Sequence, residues 1–272
     1  MERIKQALDK ARAERDTSGP DATHANAGPP SKAPATAIET AIQYSQTKIA
    51  KPDSVTLQNN RIIFGETDRV GLTAYKMLRT QVLQRMTARN WNTLGITSPA
   101  PQDGKTLTAI NLAISLAREL HHTVLLVDTD LRNPSIHKYF GLKPNAGIGD
   151  YLLKGVPLGE VLINPGIDRL VILPGRAPVE NSSEILASPA MGELVQELKS
   201  RYPARVVLFD LPPILSADDA LSFTPFVDAF LMVLRDGKTA QGELEHAMEI
   251  MKDATIIGTV LNASDEKLSA YY

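Results

Sequence analysis

The sequence contains no cysteine among its 272 residues. This absence excludes disulfides, thiolate metal sites and cysteine nucleophiles, and it fits a reducing compartment. An excess of positive charge is absent too, because 29 lysines and arginines are matched by 31 aspartates and glutamates. Without a positive field to attract the phosphates of nucleic acid, a dedicated nucleic-acid-binding function is disfavoured.

Long hydrophobic runs are also missing. The longest apolar stretches, such as residues 229–234, are far shorter than the roughly 18 residues that a membrane span needs. The N-terminus is charged and does not resemble a signal peptide. We therefore expect no membrane span and a cytoplasmic location.

Residues 17–36 contain no leucine, isoleucine, valine or aromatic residue, so burial cannot offset the entropy lost on ordering them. We predict a flexible linker at 17–54 between a short amphipathic helix at 1–16 and a folded domain at 55–263. A mobile tail follows at 264–272. The narrow apolar stripe of the first helix leaves two interpretations open, a tethered docking element or a frayed terminal helix without a partner.

Six short apolar segments in the folded domain predict β-strands. They alternate with segments of helical periodicity, among them a helix at about 67–89, which is typical of βαβ units. Because most of these strands are continuously apolar, we expect both of their faces to be buried. The predicted fold class is α/β, a mostly parallel sheet with helices on both faces. The predicted strands are 93–97, 123–128, 169–173, 205–210, 229–234 and 256–261.

The segment S-P-A-P-Q-D-G-K-T, residues 98–106, lies between the first of these strands and an apolar helix predicted at 107–120. A strand, a tight loop and a helix N-terminus together form an anion site, since the backbone N–H groups of the first turn have no partner within the helix. Pro99 stands where the G-x-x-x-x-G-K-[ST] pattern has its first glycine, which removes one N–H donor. The remaining donors still suffice to bind phosphates.

Each residue at the end of this loop has an expected role. Gly104 allows close approach of the backbone, Lys105 reaches the β- and γ-phosphates, and Thr106 places its hydroxyl on Mg²⁺. The loop therefore predicts ATP and Mg²⁺ as cofactors. The predicted ATP-binding residues of the loop are Gln102, Asp103, Gly104, Lys105, Thr106 and Leu107.

Aspartates end two of the predicted strands. Asp128 and Asp130 lie at alternate positions after one strand, and Asp210 ends another. Ligands of open α/β sheets gather at the carboxyl ends of strands, so these carboxylates are expected to face the phosphate loop. Each aspartate alone could instead be a helix N-cap or a turn residue.

The three motifs together resemble the bacterial tyrosine kinases of capsule and exopolysaccharide export, a family of deviant phosphate-loop ATPases. The loop resembles the family's A-P-x-x-G-K-[ST], residues 127–134 resemble V-D-x-D-L-R-x-P, and residues 210–213 resemble D-x-P-P. The related partitioning ATPases carry a signature lysine where this chain has Ala100. The likeness is therefore to the kinases rather than to those ATPases.

This resemblance implies a phosphate-loop NTPase fold and an ATP-dependent tyrosine autokinase that regulates polysaccharide polymerisation and export. Asp128 would accept the tyrosine proton, and Thr106, Asp130 and Asp210 would hold Mg²⁺. Arg132 would brace the loop that carries Asp128 and Asp130, or the phosphates. Asn262 would contact adenine, with a simple turn residue as the equal alternative.

The resemblance also implies autophosphorylation of Tyr271 and Tyr272, although two tyrosines make a shorter cluster than the family usually has. The implied partners are a membrane polysaccharide co-polymerase that activates the kinase at the inner membrane and further copies of the chain in a homo-oligomeric ring. The ring is the weaker inference, because Thr73, Lys76 and Arg79 occupy the places of the family's E-x-x-R-x-x-R interface motif. Two alternatives remain, an ATP-hydrolysing positioning switch and a nucleotide-binding scaffold without kinase activity.

Overall fold

A computed structural model of the chain describes residues 47–64, 68–119, 121–201 and 204–264. The predictions of a helix at 1–16, of a linker as far as residue 46 and of phosphorylation at Tyr271 and Tyr272 lie outside these residues.

The described residues form an eight-stranded sheet with the strand order β1-β4-β5-β3-β6-β2-β7-β8. Neighbouring strands are parallel except for β4 and β5, which are antiparallel. All six predicted strands are present, so the predicted fold class is confirmed. The strands are β1 Lys48–Ile49, β2 Thr93–Thr97, β3 Thr123–Asp128, β4 Ile163–Asn164, β5 Leu170–Leu173, β6 Arg205–Asp210, β7 Ala229–Arg235 and β8 Ile256–Asn262.

Helices occupy the connections between consecutive strands except the short one between β4 and β5, and the helix predicted at 67–89 is confirmed as α2. In these described ranges no helix combines the length and the hydropathy that a membrane span requires. The helices are α1 Ser54–Asn59, α2 Arg69–Thr87, α3 Lys105–Ala117, α4 Ile136–Tyr139, α5 Ile148–Lys154, α6 Leu158–Val161, α7 Ser182–Leu186, α8 Pro189–Ser200, α9 Asp219–Ser222 and α10 Gln241–Ile250.

Two strands, β1 and β4, were not predicted from the sequence. Each has two residues, and they pair with each other in parallel. Strand β1 lies inside the segment predicted as linker, and residue Asp53 caps α1 by accepting the N–H of Thr56. Regular structure therefore begins before residue 55, where the sequence placed the domain boundary. The sequence did not reveal β1, because a two-residue strand is too short to show a periodicity.

Two hydrophobic cores cover the two faces of the sheet. Val124 and Leu126 of β3 point into the core beneath α2 and α3, whereas Leu125 and Val127 point into the core beneath α8. Alternate residues of a strand face opposite sides, so the continuous apolar run of β3 supplies both cores at once. All four side chains are at most 1% exposed.

Helix α3 is the platform that carries the end of the phosphate loop. Twelve of its thirteen residues are buried, because α3 lies between the sheet and α2. Two of its buried polar side chains bind neighbouring segments: Asn111 binds the backbone of Arg61 and Ile63, and Ser115 donates to the carbonyl of Tyr75. The start of α3 is consequently held in a fixed position relative to the strand ends.

Asp228 joins β2, β7 and α8 at the edge of the sheet where β2 begins. Its Oδ2 accepts the N–H groups of Asn92 and Thr93, each at 3.0 Å, and the Thr93 hydroxyl at 2.8 Å. The Lys199 ammonium lies 2.6 Å from Oδ1. Burial alone would raise the pKa of Asp228, but these donors outweigh it and hold the pKa below its usual value.

We expect Gly95→Ala in β2 to destabilise the protein by about 1–3 kcal/mol, through overpacking. A Cβ at this position would lie 2.7 Å from the ring of Phe230 and 2.9 Å from Leu211, which are both buried. The matched control is Gly242→Ala in α10, where a Cβ would meet nothing within 4 Å. This variant should stabilise the protein by about 0.5–1 kcal/mol. Urea denaturation of both variants measures the difference, and effects of the same sign would contradict the packing described here.

We expect Asp228→Asn to destabilise the protein by about 1.5–3 kcal/mol at pH 7. A carboxyl whose pKa is lowered by folding contributes stability above its unfolded pKa of 3.8, and this stability is lost as the pH falls through the folded pKa. The difference between wild type and variant should thus shrink between pH 5 and pH 3. Denaturant titrations across that range test this, with exposed Asp253→Asn as the control; a constant difference would refute the assignment.

Candidate functional site

The phosphate loop connects β2 to α3, and its backbone has a special conformation. Gln102 and Gly104 have positive φ angles of 67° and 96°, a region that a non-glycine residue rarely adopts. The Asp103 carboxylate is buried and accepts the N–H of Ala100 at 3.1 Å, which closes the loop on itself. The first backbone N–H groups of α3 lack acceptors within the helix, as at every helix N-terminus, and form a site for an anion.

The sheet brings the predicted carboxylates to this loop. Strand β6 lies between β2 and β3, and Asp128 is directly opposite Asp210 in the ladder of β3 and β6. Asp128 and Asp210 are fully buried, and Asp130 is 4% exposed. The structure therefore gathers all three carboxylates at the carboxyl ends of the central strands.

The ammonium of Lys105 lies among these carboxylates. Its Nζ is 2.8 Å from Asp130 Oδ2, 3.8 Å from Asp210 Oδ1 and 3.4 Å from the hydroxyl of Thr106. Burial lowers the pKa of Lys105, but the charges of Asp210 and Asp130 raise it further than burial lowers it. Lys105 is therefore a buried cation that partly neutralises a buried acidic cluster.

Burial raises the pKa of Asp128 and of Asp210. The negative charge of Asp210 raises the pKa of Asp128 further, while the Lys105 cation acts in the opposite direction on both carboxyls. Oδ1 of Asp128 and both oxygens of Asp210 have no hydrogen-bond partner. Unpaired buried oxygens are costly, so these groups are suited to a ligand that supplies a cation or a proton.

The free oxygens of Asp210 fit Mg²⁺. Magnesium in nucleotide enzymes is usually held by one or two carboxylates together with phosphates and water. The described part of the chain contains no group of three or more histidines and acids arranged to hold a metal alone. A site completed by phosphate oxygens next to Thr106, Asp130 and Asp210 suits this arrangement.

Three residues around Asp128 were not predicted from the sequence. The backbone N–H groups of Ser135 and Ile136 donate to Asp128 Oδ2 at 2.9 and 3.0 Å, which leaves Oδ1 free. The Ser135 hydroxyl is 3.5 Å from that of Thr106. Gly175 packs against Asp128, since a Cβ there would lie 3.2 Å from the carboxyl carbon. Ser135 and Ile136 follow directly after the motif at 127–134, whereas Gly175 reaches Asp128 only through the tertiary fold.

The structure gives Arg132 and Asn262 specific side-chain contacts. Arg132 binds the buried Asp219 of α9 through Nε at 2.9 Å and Nη2 at 2.8 Å. It thus braces the loop after β3 against α9, and it does not contact the phosphate loop. Asn262 donates from Nδ2 to the carbonyl of Asp103 at 2.9 Å, and its contact with adenine stays a prediction.

The chain is similar to bacterial tyrosine kinases. It is 31% identical over 217 residues to the tyrosine-protein kinase YwqD of Bacillus subtilis, covering 79% of this chain and 90% of that protein. It is 29% identical to the tyrosine-protein kinase ptk of Acinetobacter johnsonii, of which it spans only 28%. No protein-family model matches the chain.

Solved structures show the same likeness. The kinase domain of Escherichia coli tyrosine kinase ETK matches with a TM-score of 0.67 and 28% identity, covering 74% of this chain and 78% of that one. The cell division ATPase MinD of Pyrococcus furiosus matches with a TM-score of 0.54 at 23% identity, covering 64% of this chain and 74% of that one. The second match shows only a shared fold.

We expect Lys105→Met to destabilise the nucleotide-free protein by about 3–5 kcal/mol, because it leaves buried carboxylates without their cation. The matched control is Lys199→Met, which also breaks an ion pair. In Lys199→Met, Asp228 keeps its other hydrogen-bond donors, so the expected loss of unfolding free energy is below about 1.5 kcal/mol. Urea denaturation compares the two variants; equal losses would contradict the role assigned to Lys105.

Proposed function

The chain belongs to the bacterial tyrosine-protein kinases, and on this premise we propose that it transfers the γ-phosphoryl group of ATP to tyrosine hydroxyls. The observation that carries the proposal is the buried cluster of Lys105 and three aspartates at the end of the phosphate loop. A phosphoryl-transfer site needs mainly positioning and neutralisation of charge, and these groups supply both.

The residues divide the work as follows. Lys105 and the backbone N–H groups from Gln102 to Leu107 hold the triphosphate, with Lys105 exchanging part of its contact with Asp130 for phosphate oxygens. Thr106, Asp130 and Asp210 would hold Mg²⁺, which would neutralise charge on the phosphates. Arg132 acts indirectly, by fixing the loop of Asp130 to α9.

Asp128 is the proposed base. Its Oδ2 is fixed by two N–H groups and its Oδ1 is free, so one oxygen orients the carboxyl and the other can take a proton. The tyrosine oxygen bonds to the γ-phosphorus, the bond from that phosphorus to the β-bridging oxygen breaks, and the tyrosine proton passes to Asp128. The raised pKa of Asp128 favours this role, because a base works best when its pKa is near the operating pH.

The proposed substrate includes the chain's own tail, with Tyr271 and Tyr272 phosphorylated by a neighbouring copy. We also propose that the kinase regulates polysaccharide polymerisation and export, and that a membrane co-polymerase activates it at the inner membrane. The family membership supports these proposals. In the proposed organisation, a helix at 1–16 and a linker precede a catalytic domain whose regular structure includes β1.

The test is mass-spectrometric mapping of phosphotyrosine on the full chain isolated from its native cell, where an activator is present. Asp128→Asn is the better inactive variant, because Lys105→Met is expected to destabilise the fold. Asparagine keeps the acceptor for Ser135 and Ile136 but cannot take the proton, so phosphorylation should fall by about 10²- to 10⁴-fold.

The tail is tested with the double variant Tyr271→Phe and Tyr272→Phe, with Tyr151→Phe as the matched control. We expect phosphate on the tail in the wild type and in the control, and none on residues 271 and 272 in the double variant. If the chain hydrolyses ATP but carries no phosphotyrosine, its function would be that of an ATP-hydrolysing positioning switch and not that of a kinase. If the chain binds ATP but neither hydrolyses it nor phosphorylates tyrosine, its function would be that of a nucleotide-binding scaffold.

A further inference from the structure

Three successive carbonyl groups of the phosphate loop each accept a hydrogen bond from a distant side chain. Lys238 Nζ donates to the carbonyl of Pro101 at 3.0 Å, and Arg235 Nη1 donates to that of Gln102 at 3.1 Å. Asn262 Nδ2 donates to that of Asp103 at 2.9 Å. The three donors are more than 130 residues away along the chain, so none of them belongs to the loop motif.

The three donors form one structural unit, which we call the strap and define as Arg235, Lys238 and Asn262. Arg235 ends β7 and lies opposite Asn262, which ends β8. The N–H of Asp236 donates to the carbonyl of Asn262 at 2.9 Å, and the N–H of Lys238 donates to that of Arg235 at 3.2 Å. The strap is thus fixed to the sheet, and it can hold the loop at a set distance from it.

The loop needs such support because its conformation is not the one its sequence prefers. Gln102 has a positive φ, which is unfavourable for a residue with a Cβ. Pro99 replaces the first glycine of the usual loop pattern. Asn262 also packs against Gly104, so that any side chain at residue 104 would collide with its amide. The three carbonyls face the strap, and this leaves the N–H groups at the start of α3 for an anion.

We propose that the strap positions the phosphate loop for nucleotide binding, so that Arg235, Lys238 and Asn262 set the affinity for the triphosphate without touching it. This inference rests on the proposed function, because it concerns the same nucleotide. It makes a distinct claim about Asn262: its effect passes through the Asp103 carbonyl and the phosphates, and it does not depend on the base.

The experiment measures the affinity of the full chain for MgATP and for inorganic tripolyphosphate with Mg²⁺, by displacement of a fluorescent ATP analogue. We expect Asn262→Ala, Arg235→Ala and Lys238→Ala each to weaken both ligands by a similar factor of about three- to tenfold, the value of one lost hydrogen bond. Arg235→Lys and Lys238→Arg retain a donor and should stay within about twofold of wild type.

Lys252→Ala is the matched control for the loss of a surface cation. Lys252 is exposed and its ion pair is with Glu249, away from the loop. The affinity of the Lys252→Ala variant for both ligands should therefore equal that of the wild type. Thermal unfolding without ligand separates a loop effect from loss of the fold. If Arg235→Lys and Lys238→Arg bind the ligands as weakly as the alanine variants do, this result would contradict the proposed role of the strap.

The remaining outcomes distinguish the inference from the proposed function. If wild type binds MgATP and the alanine variants bind it equally well, the strap is refuted and the proposed function stands. If Asn262→Ala weakens ATP but not tripolyphosphate, Asn262 contacts the base and the inference is refuted. If the wild type binds no MgATP, both proposals are refuted.

Discussion

The site depends on one interaction, the Lys105 ammonium among the buried carboxylates of Asp128, Asp130 and Asp210. Three carboxylates cannot be buried together in the charged form without a cation, because desolvation and mutual repulsion both oppose it. One lysine compensates them only in part, and the pKa values of Asp128 and Asp210 remain raised. The nucleotide-free site is therefore short of positive charge, and a divalent cation would supply it.

The sheet order explains why this cluster forms at all. Strand β6 lies between β2, which leads to Lys105, and β3, which leads to Asp128 and Asp130. Parallel strands end at the same edge, so the residues that follow them meet there. The cores on both faces are filled by alternate residues of the same strands, and the register that buries them also sets Asp128 opposite Asp210.

Much of the fold and of the charged cluster was predictable from local sequence. The rest was not predictable, and there is a physical reason for this. The six longer strands follow from apolar runs, two of which end in an aspartate of the cluster, and Lys105 follows from the phosphate-loop motif. Strands β1 and β4 are too short to show a pattern. Ser135, Gly175 and Arg235 belong to no motif, and Gly175 and Arg235 reach the site only through the tertiary fold. The motifs thus identified the charged groups of the cluster but not the residues that support them.

The support is needed because this loop departs from the usual pattern. A glycine at residue 99 would give the loop conformational freedom, whereas Pro99 fixes one φ angle and removes a donor. Asp103 closes the loop from inside by binding Ala100, and Arg235, Lys238 and Asn262 hold its carbonyls from outside. Two of these donors, Arg235 and Lys238, are exposed at the end of β7, where substitutions would ordinarily be tolerated. Surface side chains therefore support the geometry of the phosphate loop, whereas the buried lysine compensates the charge of the carboxylates beside it.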